Sequence, residues 1–148
     1  MSKVIIIIGM PGSGKSEYIR TLVHNTTCFY DDYHGDAIDD SSCFEKSRHY
    51  ESLKNALANG KDCLIADIAY CYENRLNEAK LGIDKIGDDL NLEIEIDCQY
   101  FENDAIACRK NVRQRNREQM EEELNNIEEM NSVYKIPLGA HTLPIWKG

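Results

Sequence analysis

No stretch of this sequence is apolar for long enough to lie in a membrane. The longest uninterrupted aliphatic run, Val4 to Ile8, falls far short of the roughly 20 residues a spanning helix needs. No charged, apolar and small-residue leader precedes it, so the reading is a soluble cytoplasmic protein with no membrane partner. Paired cysteine motifs are missing as well. Cys28, Cys43, Cys63, Cys71, Cys98 and Cys108 are scattered, with no CxxC and no histidine at metal-ligand spacing, which predicts reduced, mostly buried thiols. Positive charge is short: 17 Lys and Arg face 26 Asp and Glu, for a net charge of -9. Such a body repels polyanions, which weighs against tight binding of long nucleic acid. Internal repeats, low-complexity linkers and composition breaks are also absent. The 148 residues therefore read as one domain, able to bury roughly 70% of its unfolded surface.

What is present alternates between strand and helix. Lys3 to Ile8 is a continuous β-branched run ending at glycine, as expected of a parallel strand buried on both faces. Glycines 12 and 14 open a helix through about Val23, and Thr27 to Tyr30 reads as a short second strand. Ser42 and Glu45 form a capping box for a helix carrying Tyr50, Leu53 and Leu57 on one face, ended by Asn59-Gly60. Cys63 to Ala66 is a third strand, and helical spacing returns from about Tyr72 through Leu76, Ala79, Ile83 and Ile86. Leu92, Ile94, Ile96, Cys98 and Tyr100 then alternate with acidic and polar residues. That period of two predicts a strand with one wet face near a sheet edge. Asn103 or Asp104 caps a last long helix, to about Asn131, and the tail carries Pro137 and Pro144. The pattern predicts an α/β three-layer sandwich around a mainly parallel sheet.

The chemistry starts at Gly9-Met10-Pro11-Gly12-Ser13-Gly14-Lys15-Ser16, which satisfies GxxxxGK[ST] between a buried strand and a helix. A phosphate chain needs several N-H donors converging on it, and glycines 9, 12 and 14 let the backbone turn tightly with no side chains in the way. The loop delivers phosphates to the positive end of the following helix. Lys15 reaches the β and γ phosphates, and the Ser16 hydroxyl is placed for Mg²⁺, so ATP-Mg is the expected ligand. Asp67 closes the third strand where a carboxylate would hold a Mg²⁺ water. Asp31, Asp32 and Asp36 crowd the end of the second strand, and one of them is placed to take a proton from an attacking hydroxyl. Five cations in nine residues, Arg109, Lys110, Arg113, Arg115 and Arg117, form a basic lid helix near 104–117. Arg109, Arg113 and Arg117 share one stripe of it while Lys110 and Arg115 point elsewhere, which makes Arg109 and Arg113 the lid pair.

These pieces together resemble the P-loop kinases, and among them the kinase module of phage-type polynucleotide 5′-hydroxyl kinase. The resemblance runs along nearly the whole chain. It rests on GMPGSGKS, the Phe29-Tyr30 strand, Asp31-Asp32-Tyr33-His34, Asp67, Arg109-Lys110-Asn111-Val112-Arg113 and the closing Leu143-Pro144-Ile145-Trp146-Lys147-Gly148. It implies a single P-loop NTPase domain over 1–148, of nucleoside- or nucleotide-kinase type, that moves the γ-phosphate of ATP to a hydroxyl acceptor. Asp31 would be the general base, Lys15 and Arg113 would stabilise the phosphoryl group, Arg109 would lie on ATP, and His34 would touch the acceptor. His34 stands where the polynucleotide enzyme offers an arginine, and Ile68-Ala69 follow Asp67 where polar substrate contacts are expected. The acceptor is thus either the 5′ end of an oligonucleotide or a small metabolite such as a nucleoside, nucleotide or sugar. A non-catalytic ATP-binding module is a further alternative. A GTP switch fits poorly: Asp32-Tyr33-His34-Gly35 satisfies DxxG but lies too close to the loop, and no NKxD follows.

Overall fold

The computed structural model describes residues 2–22, 28–34 and 43–147. Val23, Thr27, Gly35, Asp36, Ser42 and Gly148, which entered the expectations above, lie outside the described residues. Five strands, β1 (Ser2–Ile8), β2 (Cys28–Asp31), β3 (Cys63–Ala66), β4 (Ile94–Phe101) and β5 (His141–Leu143), form one sheet in the order β2-β3-β1-β4-β5. Every pairing is parallel. The β-branched run of β1 takes the central place, with Val4, Ile6, Ile7 and Ile8 fully buried. A strand covered on both faces has no use for alternation, which is why its sequence shows none.

Five α-helices connect the strands: α1 (Lys15–Leu22), α2 (Tyr50–Ala58), α3 (Glu73–Leu90), α4 (Ala105–Arg115) and α5 (Met120–Asn131). The β1-α1-β2 crossover runs in the opposite direction along the sheet from the later ones, so right-handed connection puts α1 on one face and α2 and α3 on the other. Ile19 of α1, Leu53 and Leu57 of α2, and Ile83 and Ile86 of α3 close the core over those faces. Among the described residues no helix is long and apolar enough to cross a membrane. All six thiols are free.

β4 lies next to the sheet edge, as its one wet face predicts, with β5, formed by the proline-flanked tail, paired outside it. β5 meets only Gln99, Tyr100 and Phe101, so the first half of β4 stays open on that side, with Glu95 and Asp97 at the wet positions. Two expectations are corrected. The helix expected to start at Ser42 begins only at Tyr50, after a single 3-10 turn at Phe44–Lys46. The long helix after β4 is two helices. Asp104 caps α4 by accepting from the Ala107 N-H at 3.1 Å, and Asn116 in the left-handed conformation (φ 46°, ψ 50°) ends it. α5 then folds back and packs on α4.

Candidate active site

The loop from Gly9 to Ser16 joins β1 to α1 at the carboxyl end of the sheet. It turns through Gly12 and Gly14 at φ +82° and +105°, conformations that side-chain-bearing residues rarely adopt. Neither glycine has room for a methyl group. A Cβ on Gly12 would stand 2.4 Å from the Cys108 carbonyl oxygen of α4, and one on Gly14 would stand 2.4 Å from Cβ of Trp146. Helix α4 and the segment after β5 therefore lie directly against the loop. Asn111 fastens all three together. Its buried amide donates to the Gly12 carbonyl at 2.8 Å and to the Trp146 carbonyl at 2.7 Å, and the Trp146 N-H donates to the Ser13 carbonyl at 3.0 Å.

Lys15 folds back over the loop, with Nζ 2.8 Å from the Gly9 carbonyl, 3.0 Å from that of Met10 and 3.5 Å from the Ser13 hydroxyl. Burial pulls its pKa below the ordinary lysine value, opposed by the negative groups around it, Asp31 and Asp67 among them. The Ser16 hydroxyl donates to Asp31 Oδ2 at 2.5 Å. This contact brings the end of β2 to the start of α1.

Around these residues lies a cavity of about 530 Å³. Pro11, Gly12, Gly14, Lys15 and Ser16 form its floor, and Asp31, Asp32 and Ile68 one wall. The opposite wall comes from the α4–α5 hairpin through Arg115, Arg117, Gln119, Glu122, Glu123 and Asn126. Arg115 is held there by Glu123, with Nη2 2.8 Å from Oε2. Its Nε is buried with no acceptor among the described residues, a cost that an anion oxygen in the cavity would relieve.

The loop residues and Asp31 thus come together, with Gly9, Met10 and Ser13 buried beneath the surface that the other loop residues present. The remaining expected site residues do not line the cavity. Asp67 is buried, and its two oxygens accept from the backbone N-H groups of Ala69 at 2.8 Å and His34 at 2.7 Å. It caps the turn after β3 and latches the segment after β2. The His34 ring sits among Tyr33, Phe44 and Tyr70, with Nε2 3.0 Å from the Tyr70 hydroxyl. Burial, reinforced by Arg75 and opposed by Glu78 and Asp32, pushes its pKa down to about 4. Arg109 pairs with Glu128 at 2.7 Å, and Arg113 is exposed outside the cavity.

The arginine correction has a geometric cause. Cys108, Asn111 and Val112 are the residues of α4 turned to the loop, and Arg115 continues their face at helical spacing. Arg109 and Arg113 belong to another face. Arg117 lies past the helix end, so the stripe that joined it to them is broken at Asn116. Arg115, Arg117 and Asn111 were all in view in the sequence. What would have singled out Asn111 and Arg115 is the apolar face of α4, Ala105, Cys108 and Val112, which locates the buried side.

No protein-family model and no curated protein matches the sequence. Among solved structures, the chain is similar to a gluconokinase from Sinorhizobium meliloti. The match has a TM-score of 0.62 and 11% identity, and covers 99% of this chain and 84% of that one. The chain shares that protein's fold, an α/β sandwich around a five-stranded parallel sheet with a P-loop after its central strand. At 11% identity the likeness concerns the P-loop fold and assigns no acceptor.

The donor set around the P-loop suits ATP-Mg. Lys15 occupies its charge on carbonyl oxygens that phosphate oxygens would replace, and the Arg115 N-H lacks an acceptor. The Ser16 hydroxyl supplies a hard oxygen donor of the kind Mg²⁺ takes.

Proposed function

We propose that this chain is an ATP-dependent kinase that transfers the γ-phosphate to a hydroxyl group of a small metabolite. The observation that carries it is the meeting of Lys15, Ser16, Asp31 and Arg115 around a single cavity at the carboxyl end of the sheet. The P-loop amides and Lys15 hold the β and γ phosphates. The Ser16 hydroxyl would hold a Mg²⁺ entering with ATP, which would neutralise phosphate charge. Asp31 takes the proton of the acceptor hydroxyl as the new O-P bond forms and the bond from the γ phosphorus to the β-γ bridging oxygen breaks, releasing ADP. Arg115 donates to the transferring group from the other wall, where a guanidinium loses nothing to deprotonation. Asp67 supports the site by holding the backbone of His34 and Ala69, and any hold on a metal-bound water would use the lone pairs those amides leave.

The small-metabolite acceptor is favoured over the 5′ end of an oligonucleotide because the cavity walls hold more carboxylates than cations, where a polynucleotide strand needs a positive track. The fold neighbour is a gluconokinase, which agrees with a small hydroxyl-bearing acceptor in general. Incubation with γ-labelled ATP, Mg²⁺ and a panel of sugars, nucleosides and 5′-hydroxyl oligonucleotides tests the reading, with Lys15→Ala as the control. Label is expected on a small molecule, lost in the control. Binding of ATP with no label transferred to any acceptor would overturn it.

A further inference from the structure

The acceptor side of the cavity is more specific than the kinase reading on which it rests. Three cations border the cavity, Lys15, Arg115 and Arg117, against five carboxylates, Glu17, Asp31, Asp32, Glu122 and Glu123. Two of the cations are already committed. Lys15 lies on the P-loop, where the phosphates bind, and Arg115 is paired with Glu123. ATP-Mg adds negative charge of its own, which draws Arg117 toward the nucleotide. What faces the remaining space is Asp31 and Asp32 on one wall and Gln119, Glu122 and Asn126 on the other. These last three recur at spacings of three and four and so share one face at the start of α5, turned to the cavity. Their oxygens accept hydrogen bonds from hydroxyl or ammonium groups, and the two carboxamides also donate to hydroxyls. Among the described residues nothing on this side compensates a phosphate or carboxylate of the acceptor, which would be desolvated next to like charges.

We propose that the acceptor is a small polyhydroxyl molecule bearing no anionic group, either uncharged or amino-substituted, and that Glu122 and Asn126 select it. Glu122 then acts as a specificity residue, taking hydroxyl or ammonium hydrogens at the end of the molecule away from the reacting oxygen. The pair lies four residues apart and spans about 6 Å along the helix, a length that matches hydroxyls at opposite sides of a sugar-sized ring.

The experiment is phosphoryl transfer from labelled ATP to a matched series on one carbon skeleton: the neutral sugar, its amino sugar, its sugar acid and its sugar phosphate, with a 5′-hydroxyl oligonucleotide alongside. The expected result is kcat/KM for the neutral or amino member at least about ten-fold above every anionic one. Comparing the first two members decides which of them the wall prefers. Glu122→Gln is expected to raise the acceptor KM about ten-fold and leave the KM for ATP within about two-fold, a split that general loss of structure would not produce. Glu122→Arg is expected to move preference toward the sugar acid. A sugar acid, sugar phosphate or oligonucleotide as the best acceptor of the wild-type protein would overturn the acceptor class and leave the kinase standing. An unchanged acceptor KM in both Glu122 variants would overturn the role of Glu122. Transfer to no member, with ATP bound, would remove both readings.

Discussion

Removing the Asn111 side chain should damage the nucleotide site and the fold together. The amide is buried and makes two short hydrogen bonds, to the carbonyls of Gly12 and Trp146. Asn111→Ala deletes both and strands two acceptors in a region closed by Cys108, Val112 and Trp146. Leaving a buried polar group unsatisfied costs about 1–3 kcal/mol, so with partial relaxation the pair comes to roughly 2–4 kcal/mol. In a domain of this size that corresponds to a fall in Tm of about 5–15 °C. Asn111→Asp should be worse at neutral pH, since a carboxylate oxygen would then face two carbonyl oxygens. Its deficit should shrink toward about pH 5, where protonation restores one donor. Because Gly12 and Ser13 are the loop residues being held, the Kd for ATP-Mg should also rise, on the order of ten-fold. Thermal unfolding with and without ATP-Mg, and ATP titration of each variant, are the measurements. An Asn111→Ala protein that melts within about 1 °C of the wild type and binds ATP normally would show that the clamp holds nothing.

Three further outcomes are expected. Arg115→Ala should lower kcat on the order of 10²–10³ while Arg113→Ala changes it little, because only the former reaches the cavity; equal small effects would refute the assignment. Asp31→Asn should slow transfer on the order of 10² or more with ATP affinity nearly intact, whereas loss of ATP binding would make Asp31 a metal ligand and not a base. His34, with its pKa pushed down to about 4, is kept neutral by the fold while the unfolded chain takes up a proton below about pH 6.5. Its stability contribution is complete above that value and is lost as pH falls toward about 4. After discounting for partial exposure the loss is about 1–2 kcal/mol. Urea unfolding at about pH 7 and about pH 4.5 should show a smaller pH effect in His34→Gln, and equal effects would contradict the burial of a neutral ring.

The sequence made the framework legible where one physical signal dominated. The P-loop is fixed by backbone geometry that only glycine supplies, and β1 by an uninterrupted β-branched run. β3 was bounded correctly because four buried residues end at a capping aspartate. Legibility failed where tertiary contacts decide. β5 is three residues long and is held by the carboxyl end of β4, which no local pattern encodes. The α4–α5 break depends on Asn116 adopting a left-handed conformation inside a polar run whose helical period continues on both sides. His34 and Asp67 were read as facing a ligand because polar residues near strand ends do so often. Here Asp67 satisfies backbone amides, and His34 joins the aromatic cluster of Tyr33, Phe44 and Tyr70.

The clamp on the P-loop also sets an order of assembly. The loop is made of residues 9 to 16, yet two of the groups that fix its carbonyls belong to Asn111 and Trp146. During synthesis the phosphate-binding motif emerges early and waits through three further strands, β2 to β4, before the amide of residue 111 exists. Contacts so distant along the chain form slowly, since the entropy of closing the intervening chain is lost before they contribute. A nascent or carboxyl-terminally clipped chain therefore carries the motif without its rigid cradle, and the nucleotide itself becomes a means of pulling late folding to completion.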